Sequence, residues 1–294
     1  MKRLLDFIIA LGDLLMPREC LVCGRRLGMR ERHLCLSCAA DVPYTRFWLA
    51  AHNPLADRFN AVLERHRGTE PMDYAYAVAL MYYKGAYRSI PRALKYHGDL
   101  AAGRHYGALL GRRLAAAPHF ADIDLVIPVP LHWTRLRSRG YNQAEVLARA
   151  IAVAIHAKVR TDLLVRSRRT RTQTRVSVDQ KAQNVASAFQ VPAHFPLWTR
   201  LRRLLHHAWN ACLSRLARCS VGVGHGGRFL SLSKDAPESP SGVLASARHI
   251  VLVDDTFTTG ATLYACYAAL RPYTTARISI ATLAAVEGTP SSGP

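Results

Sequence analysis

Nothing in this sequence is long and apolar enough to cross a bilayer, which takes about 20 consecutive apolar residues, so no transmembrane span is expected. A secretory leader is not expected either. Residues 1–16 begin with Lys2 and Arg3 and continue in a Leu/Ile-rich run, but Asp6 and Asp13 interrupt it, no small-residue cleavage site follows, and Glu19 before Cys20 spoils a lipoprotein site. The run reads as an amphipathic helix packed on the body of a cytoplasmic protein, with attachment to a membrane surface as the alternative. Acids are scarce too: 20 Asp and Glu stand against 40 Lys and Arg, a formal charge of +20. That imbalance calls for an anionic partner, whether nucleic acid, membrane surface or phosphorylated metabolite, and does not choose among them. With half of its 294 residues hydrophobic, the chain can bury a sizeable core as one large domain or two smaller ones.

Cysteines are few, but four of them are paired. Cys20-Leu-Val-Cys23 and Cys35-Leu-Ser-Cys38 are CxxC knuckles with eleven residues between them, and Gly24 suits the turn that aims backbone N–H groups at sulfur. Four thiolates converging on one tetrahedral Zn²⁺ leave no open coordination place, so the expected metal is structural. Two disulfides are the alternative, which a reducing compartment disfavours. His33 is a further candidate ligand, against its reading as a solvated loop residue.

The chemistry-bearing stretch is Val251-Leu-Val-Asp254-Asp255-Thr256-Phe257-Thr258-Thr259-Gly260-Ala261-Thr262. Residues 250–253 read as a buried strand, two acids follow, and a Thr/Gly loop opens an Ala- and Leu-rich helix at Thr262. A helix N-terminus offers unpaired N–H groups and a favourable dipole to a phosphate, Gly260 admits close approach, and Thr258, Thr259 and Thr262 add hydroxyls. The lysine of a Walker loop is absent, which argues against a nucleoside triphosphate. Asp254 and Asp255 could each accept from one of two neighbouring ribose hydroxyls. The plainer alternative is a strand–turn–helix whose Asp and Thr only cap the helix.

These residues resemble the signature of the type I phosphoribosyltransferases, an apolar strand, two acids and a Thr/Gly loop that bind 5-phosphoribosyl 1-pyrophosphate (PRPP); Thr256 and Phe257 stand where an aliphatic pair is usual. The segment from Tyr83-Lys84-Gly85 to Leu94-Lys95-Tyr96 is similar to one in the competence protein F (ComF) family, whose arrangement is a four-Cys ribbon joined to a phosphoribosyltransferase-like domain. Pro128, Arg139, Gly140, Tyr141, Asn142 and Gln143 match that family's pattern, and Arg168 or Arg169, Thr172, Gln173, Asn184, Ala188 and Phe189 match a second one. The resemblance implies PRPP bound through Asp254, Asp255, Thr256, Thr258, Thr259, Gly260 and Thr262, with Mg²⁺. It also implies pyrophosphate contacts from Arg137, Arg139 and Gly140, and a lid carrying Arg168, Arg169 and Arg171. Its associations are natural transformation, single-stranded DNA and the competence helicase or uptake machinery as partners. A PRPP- or nucleotide-gated single-strand binder without turnover and a scaffold are the alternatives to a transferase.

Along the rest of the chain, residues 41–73 show little periodicity and read as a linker, and a strand follows at 75–83. A helix bearing Arg88, Arg92 and Lys95 and another over 103–116 come next. Residues 125–130 form a strand ending in prolines, a basic loop over 135–143 enters a helix over 144–157, and 162–165 read as a third strand. Five arginines among residues 166–175 mark a mobile loop. Residues 192–248 depart from the family as an insertion with a basic amphipathic helix, and a strand over 277–283 closes the chain. Alternating strands and helices predict an α/β domain with a mostly parallel central sheet of the type I phosphoribosyltransferase kind, spanning 75–289, behind an N-terminal helix, zinc ribbon and linker over 1–74.

Overall fold

The computed structural model of the chain describes residues 17–66, 73–167, 188–194 and 239–288. The readings of residues 1–16, of the lid arginines Arg168, Arg169 and Arg171, and of most of the insertion lie outside the described residues. In chain order the elements are α1 (Leu36–Ala40), α2 (Pro54–Arg65), β1 (Ala77–Tyr82), α3 (Ser89–Tyr96), α4 (Leu100–Ala115), β2 (Leu125–Pro128), α5 (Trp133–Arg139) and α6 (Gln143–Ile155). They continue with β3 (Lys158–Val159), β4 (Val165–Arg166), β5 (Phe189–Gln190), α7 (Pro240–Ser246), β6 (His249–Phe257), α8 (Ala261–Leu270) and β7 (Arg277–Ala285). Among the described residues no helix is long and apolar enough to cross a membrane.

Five strands form one sheet in the order β1-β7-β6-β2-β3, every neighbour parallel. Such a sheet is covered on both faces, and β6 and β7 accordingly read as nearly unbroken buried runs. The order carries a second consequence. The chain moves one way along the sheet from β2 to β3 and the other way from β6 to β7. Since parallel crossovers are right-handed, α6 and α8 must cover opposite faces. The direction of winding therefore reverses between the adjacent strands β6 and β2, and a crevice opens beyond their carboxyl ends.

One face is packed unusually closely. Gly103, Gly107 and Gly111 recur every four residues along α4, and a Cβ at Gly111 would lie 2.7 Å from Ala154 Cβ and 2.9 Å from Ile151 Cα of α6. Only hydrogen side chains let the two helix backbones approach this far.

Three local expectations change. The stretch taken as linker contains α2, capped by Asn53, whose Oδ1 accepts from the N–H groups of Leu55 and Ala56 at 3.1 and 3.0 Å. Pro54 begins the helix, and Leu55, Phe59 and Leu63, spaced by four, are buried against the sheet's core. The apolar pair Leu163-Leu164 is buried without joining a strand; β3 lies earlier, and Arg160 Nε donates to Asp162 Oδ1 at 2.8 Å where the chain bends after it. The basic loop after β2 is partly the helix α5, closed by Gly140 at φ +81°, whose N–H donates to Leu136 O at 2.8 Å.

The four-Cys module docks on this body. Tyr87 donates its hydroxyl to Cys38 O at 3.0 Å, and the His33 ring lies 5.0 Å from that of His105 on α4. Leu21, Val22 and Leu34 pack against the main core.

Candidate functional site

The four cysteine sulfurs lie within 4.8 Å of one another. Cys23 Sγ and Cys35 Sγ are 3.8 Å apart, and the edge of a tetrahedron with Zn–S bonds of about 2.3 Å is about 3.8 Å. The donor set therefore fits a tetrahedral metal such as zinc. The knuckles are pre-shaped: Gly24 N donates to Cys20 O at 2.9 Å and Cys38 N points to Cys35 Sγ at 3.5 Å. Burial pushes the Cys20 thiol up, but the backbone N–H groups of Cys23, Cys35 and Val22 outweigh it and hold it below its ordinary value, which favours the ligating thiolate. Glu31 supports the loop between the pairs, its carboxylate accepting from Gly28 N at 2.6 Å and Leu36 N at 2.7 Å.

A cavity of about 600 Å³ occupies the crevice beyond β2 and β6. Its floor is the end of β6. Asp254 and Asp255 are still paired within the sheet on the β7 side, where Asp254 faces Thr282 and the ladder runs on to Phe257. On the other side β2 stops at Pro128, opposite Val253, and its continuation at 129–131 turns along the cavity wall. The acids thus belong to the strand, one edge of which is released where they begin.

Thr256, Thr258 and Thr262 also line the cavity, while Thr259 and Gly260 build the turn without lining it. Gly260, at φ +82°, is the residue before α8, and a Cβ there would meet the Phe257 ring at 3.0 Å. Ala261 N points to Thr259 Oγ1 at 3.5 Å. Arg139 lines the cavity together with Arg135 and Arg166, whereas Arg137 is exposed on α5 and takes no part in the lining. Arg139 also stacks on the Tyr96 ring, 5.7 Å from its centroid.

The electrostatics centre on two crowded acids, with Lys95 and Arg166 close enough to act on Asp254. Lys95, in the last turn of α3, reaches Asp255 with Nζ 3.2 Å from Oδ1 and 3.0 Å from Oδ2. Burial would lower the lysine, but Asp255 outweighs it and the amine stays above its ordinary value. Asp254 goes the other way from a normal acid: burial first, then the charge of Asp255, push its carboxyl up to about 7. The N–H of Asp255, donating to Asp254 Oδ1 at 2.8 Å, opposes that rise.

Two supports were not legible beforehand. Arg58 of α2 donates from Nη2 to Thr258 O at 2.8 Å and from Nη1 to Val286 O at 2.6 Å, so the helix hidden in the supposed linker holds the Thr turn. Its hydrophobic spacing was the available signal. Lys95 lay within a segment that the resemblance singled out, but no local spacing relates it to Asp255. Asn142, at the cap of α6, donates to Val129 O at 3.0 Å and ties that helix to the end of β2. Beside it, Gln143 is 2% exposed and lines the cavity, and its Nε2 has no hydrogen-bond partner among the described residues. A buried amide without an acceptor is costly, and a polar ligand in the cavity is the group that would satisfy it.

No protein-family model matches the chain. No curated protein matches it in sequence. Among solved structures it is similar to the crystal structure of TT1426 from Thermus thermophilus, with 15% sequence identity, coverage of 65% of this chain and 85% of that one, and a TM-score of 0.29.

Proposed function

We propose that the chain is a phosphoribosyltransferase-like protein that binds PRPP, as its resemblance to the ComF family implies. One arrangement carries the reading: two adjacent acids at the reversal point of a parallel sheet, a helix N-terminus beside them, and arginines across the same cavity. The ribose 2′ and 3′ hydroxyls would donate to Asp254 and Asp255. The 5′-phosphate takes the N–H groups and hydroxyls of the turn over 258–262 at the head of α8. Arg135 and Arg139 face the pyrophosphate, whose oxygens guanidinium forks suit, and Gln143 Nε2 donates to the ligand.

Mg²⁺ fits the hard oxygen donors of the two carboxylates and of PRPP itself, and would neutralise charge on the leaving group. In a transfer, the bond from the anomeric carbon to pyrophosphate breaks with its electron pair leaving on pyrophosphate, and the acceptor's lone pair forms the new bond. Asp254 and Asp255 act there as positioners of the ribose diol, and the proton that the acceptor sheds passes to the released pyrophosphate or to solvent.

A second reading, a single-strand binder gated by the same ligand and acting with the uptake machinery in the cytoplasm, draws on the +20 charge. Thermal-shift titration with PRPP and Mg²⁺ tests what the two readings share. The wild type should melt higher, and Asp254→Asn with Asp255→Asn should remove the shift; a wild type indifferent to PRPP ends both readings. Pyrophosphate release against a panel of acceptors separates them, and steep salt sensitivity of oligonucleotide binding favours the second.

A further inference from the structure

A second cavity of about 460 Å³ opens beside the first. Tyr83, Lys95, Tyr96 and Thr256 line both, so the two are joined along one wall, while Pro91, Arg92 and His97 line only the second. Its chemistry differs from that of the main cavity. None of its lining residues is a carboxylate, and two of them are tyrosines. Tyr96 is 70% exposed, a large ring left open to solvent. Arg139 already stands over that ring, and Arg88 stands 5.7 Å from the centroid of Tyr83, so both rings have a cation nearby.

Arg92 makes no ion pair or hydrogen bond among the described residues, unlike Lys95, which is held by Asp255. The annex therefore carries in one lining an uncompensated cation and two tyrosines, and it shares Thr256, next in sequence to Asp255, with the main cavity. A lone cation on that wall attracts an anion, and the open tyrosine surface gains most from a flat apolar ring. The volume is that of a small-molecule site.

We infer that this annex is a binding site for a small planar aromatic acid, its ring against Tyr83 and Tyr96 and its anionic group on Arg92. The inference deepens the PRPP reading and rests on it for one point, that the bound molecule is the acceptor; the binding itself does not depend on that reading. His97, exposed on the same wall, adds a further polar contact for the anionic group.

Fluorescence titration with 2-aminobenzoate, with and without PRPP and Mg²⁺, tests the site. Cyclohexanecarboxylate and aniline, each carrying one half of the chemistry, serve as competitors. Saturable binding is expected, weakened at least about tenfold by Arg92→Ala and partly restored by Arg92→Lys. Both single-feature competitors should displace the probe poorly. The PRPP thermal shift should survive Arg92→Ala, since Arg92 is absent from the main cavity's lining. Absence of saturable binding under both conditions overturns the inference, as does binding that Arg92→Ala leaves unchanged. So does Arg92-dependent binding of a single-stranded oligonucleotide where 2-aminobenzoate fails. A PRPP shift without probe binding removes the annex alone; Arg92-dependent probe binding without a PRPP shift removes the PRPP reading and leaves the annex standing.

Discussion

Lys95 Nζ and the carboxylate of Asp255 meet at 3.0 to 3.2 Å across 160 residues of sequence, joining the end of α3 to the end of β6. Lys95 pairs with Asp255, while Asp254 beside it is pushed up first by burial and then by the charge of Asp255. A ligand diol that donates to Asp255 would share the lone pairs of that carboxylate with Lys95.

Lys95→Met should therefore cost stability. It strands a carboxylate that is 7% exposed, though the lysine's own partial exposure tempers the loss to about 1–3 kcal/mol in urea denaturation. Because the folded lysine lies above its ordinary 10.5, the wild-type advantage is fully present below that pH and fades as the pH rises through the folded value. A flat difference across that alkaline range would show that the pair is not the source.

Asp254→Asn should have opposite effects on stability and binding. The folded carboxyl sits near 7 against an ordinary 3.8, so between those values the unfolded chain binds fewer protons and wild-type stability falls as pH rises. The amide removes that fall. Melting temperatures compared at pH 5 and pH 8 should show the variant gaining on the wild type at the higher pH, while its PRPP shift disappears.

Arg58→Met should weaken PRPP binding by about tenfold although Arg58 is not among the cavity's lining residues, because it releases two backbone carbonyls that fix the Thr turn. The measurement is the PRPP concentration needed for a half-maximal thermal shift. An unchanged midpoint would mean that the turn holds its shape without the guanidinium.

Gly111→Ala should destabilise the fold by about 1–3 kcal/mol, since the new methyl meets α6 backbone and Ala154 well inside contact distance. Exposed Gly98, whose added Cβ would meet nothing, is the informative contrast only for space, because its φ of +69° brings backbone strain. Urea denaturation of Gly111→Ala reads the packing cost directly.

Removal of metal should loosen the module over 20–38 while leaving the sheet folded. Metal analysis should find one zinc per chain, lost in Cys35→Ser, with hydrogen exchange rising there and at the Tyr87 and His105 contacts before it rises in β6. Simultaneous loss of protection in β6 would make the module part of the core.

What could be read along the chain was whatever a few consecutive residues settle. The CxxC pairs, the strand that runs into Asp254 and Asp255, the turn at Gly260 and the helix after it are each defined by spacings shorter than a dozen residues, and so is the α/β alternation. Helix α2 was legible in principle, since Asn53-Pro54 and the spacing of Leu55, Phe59 and Leu63 announce it, but the polar Asn60 sits among them on the buried face and blurs the stripe. The partnership of Lys95 with Asp255, the grip of Arg58 on Thr258 and the crevice between β6 and β2 belong to another order of information. They follow from which strands lie side by side and in which direction each crossover turns, and that choice is made by burying the sheet's two faces at once, an energy to which residues far apart in the sequence contribute together.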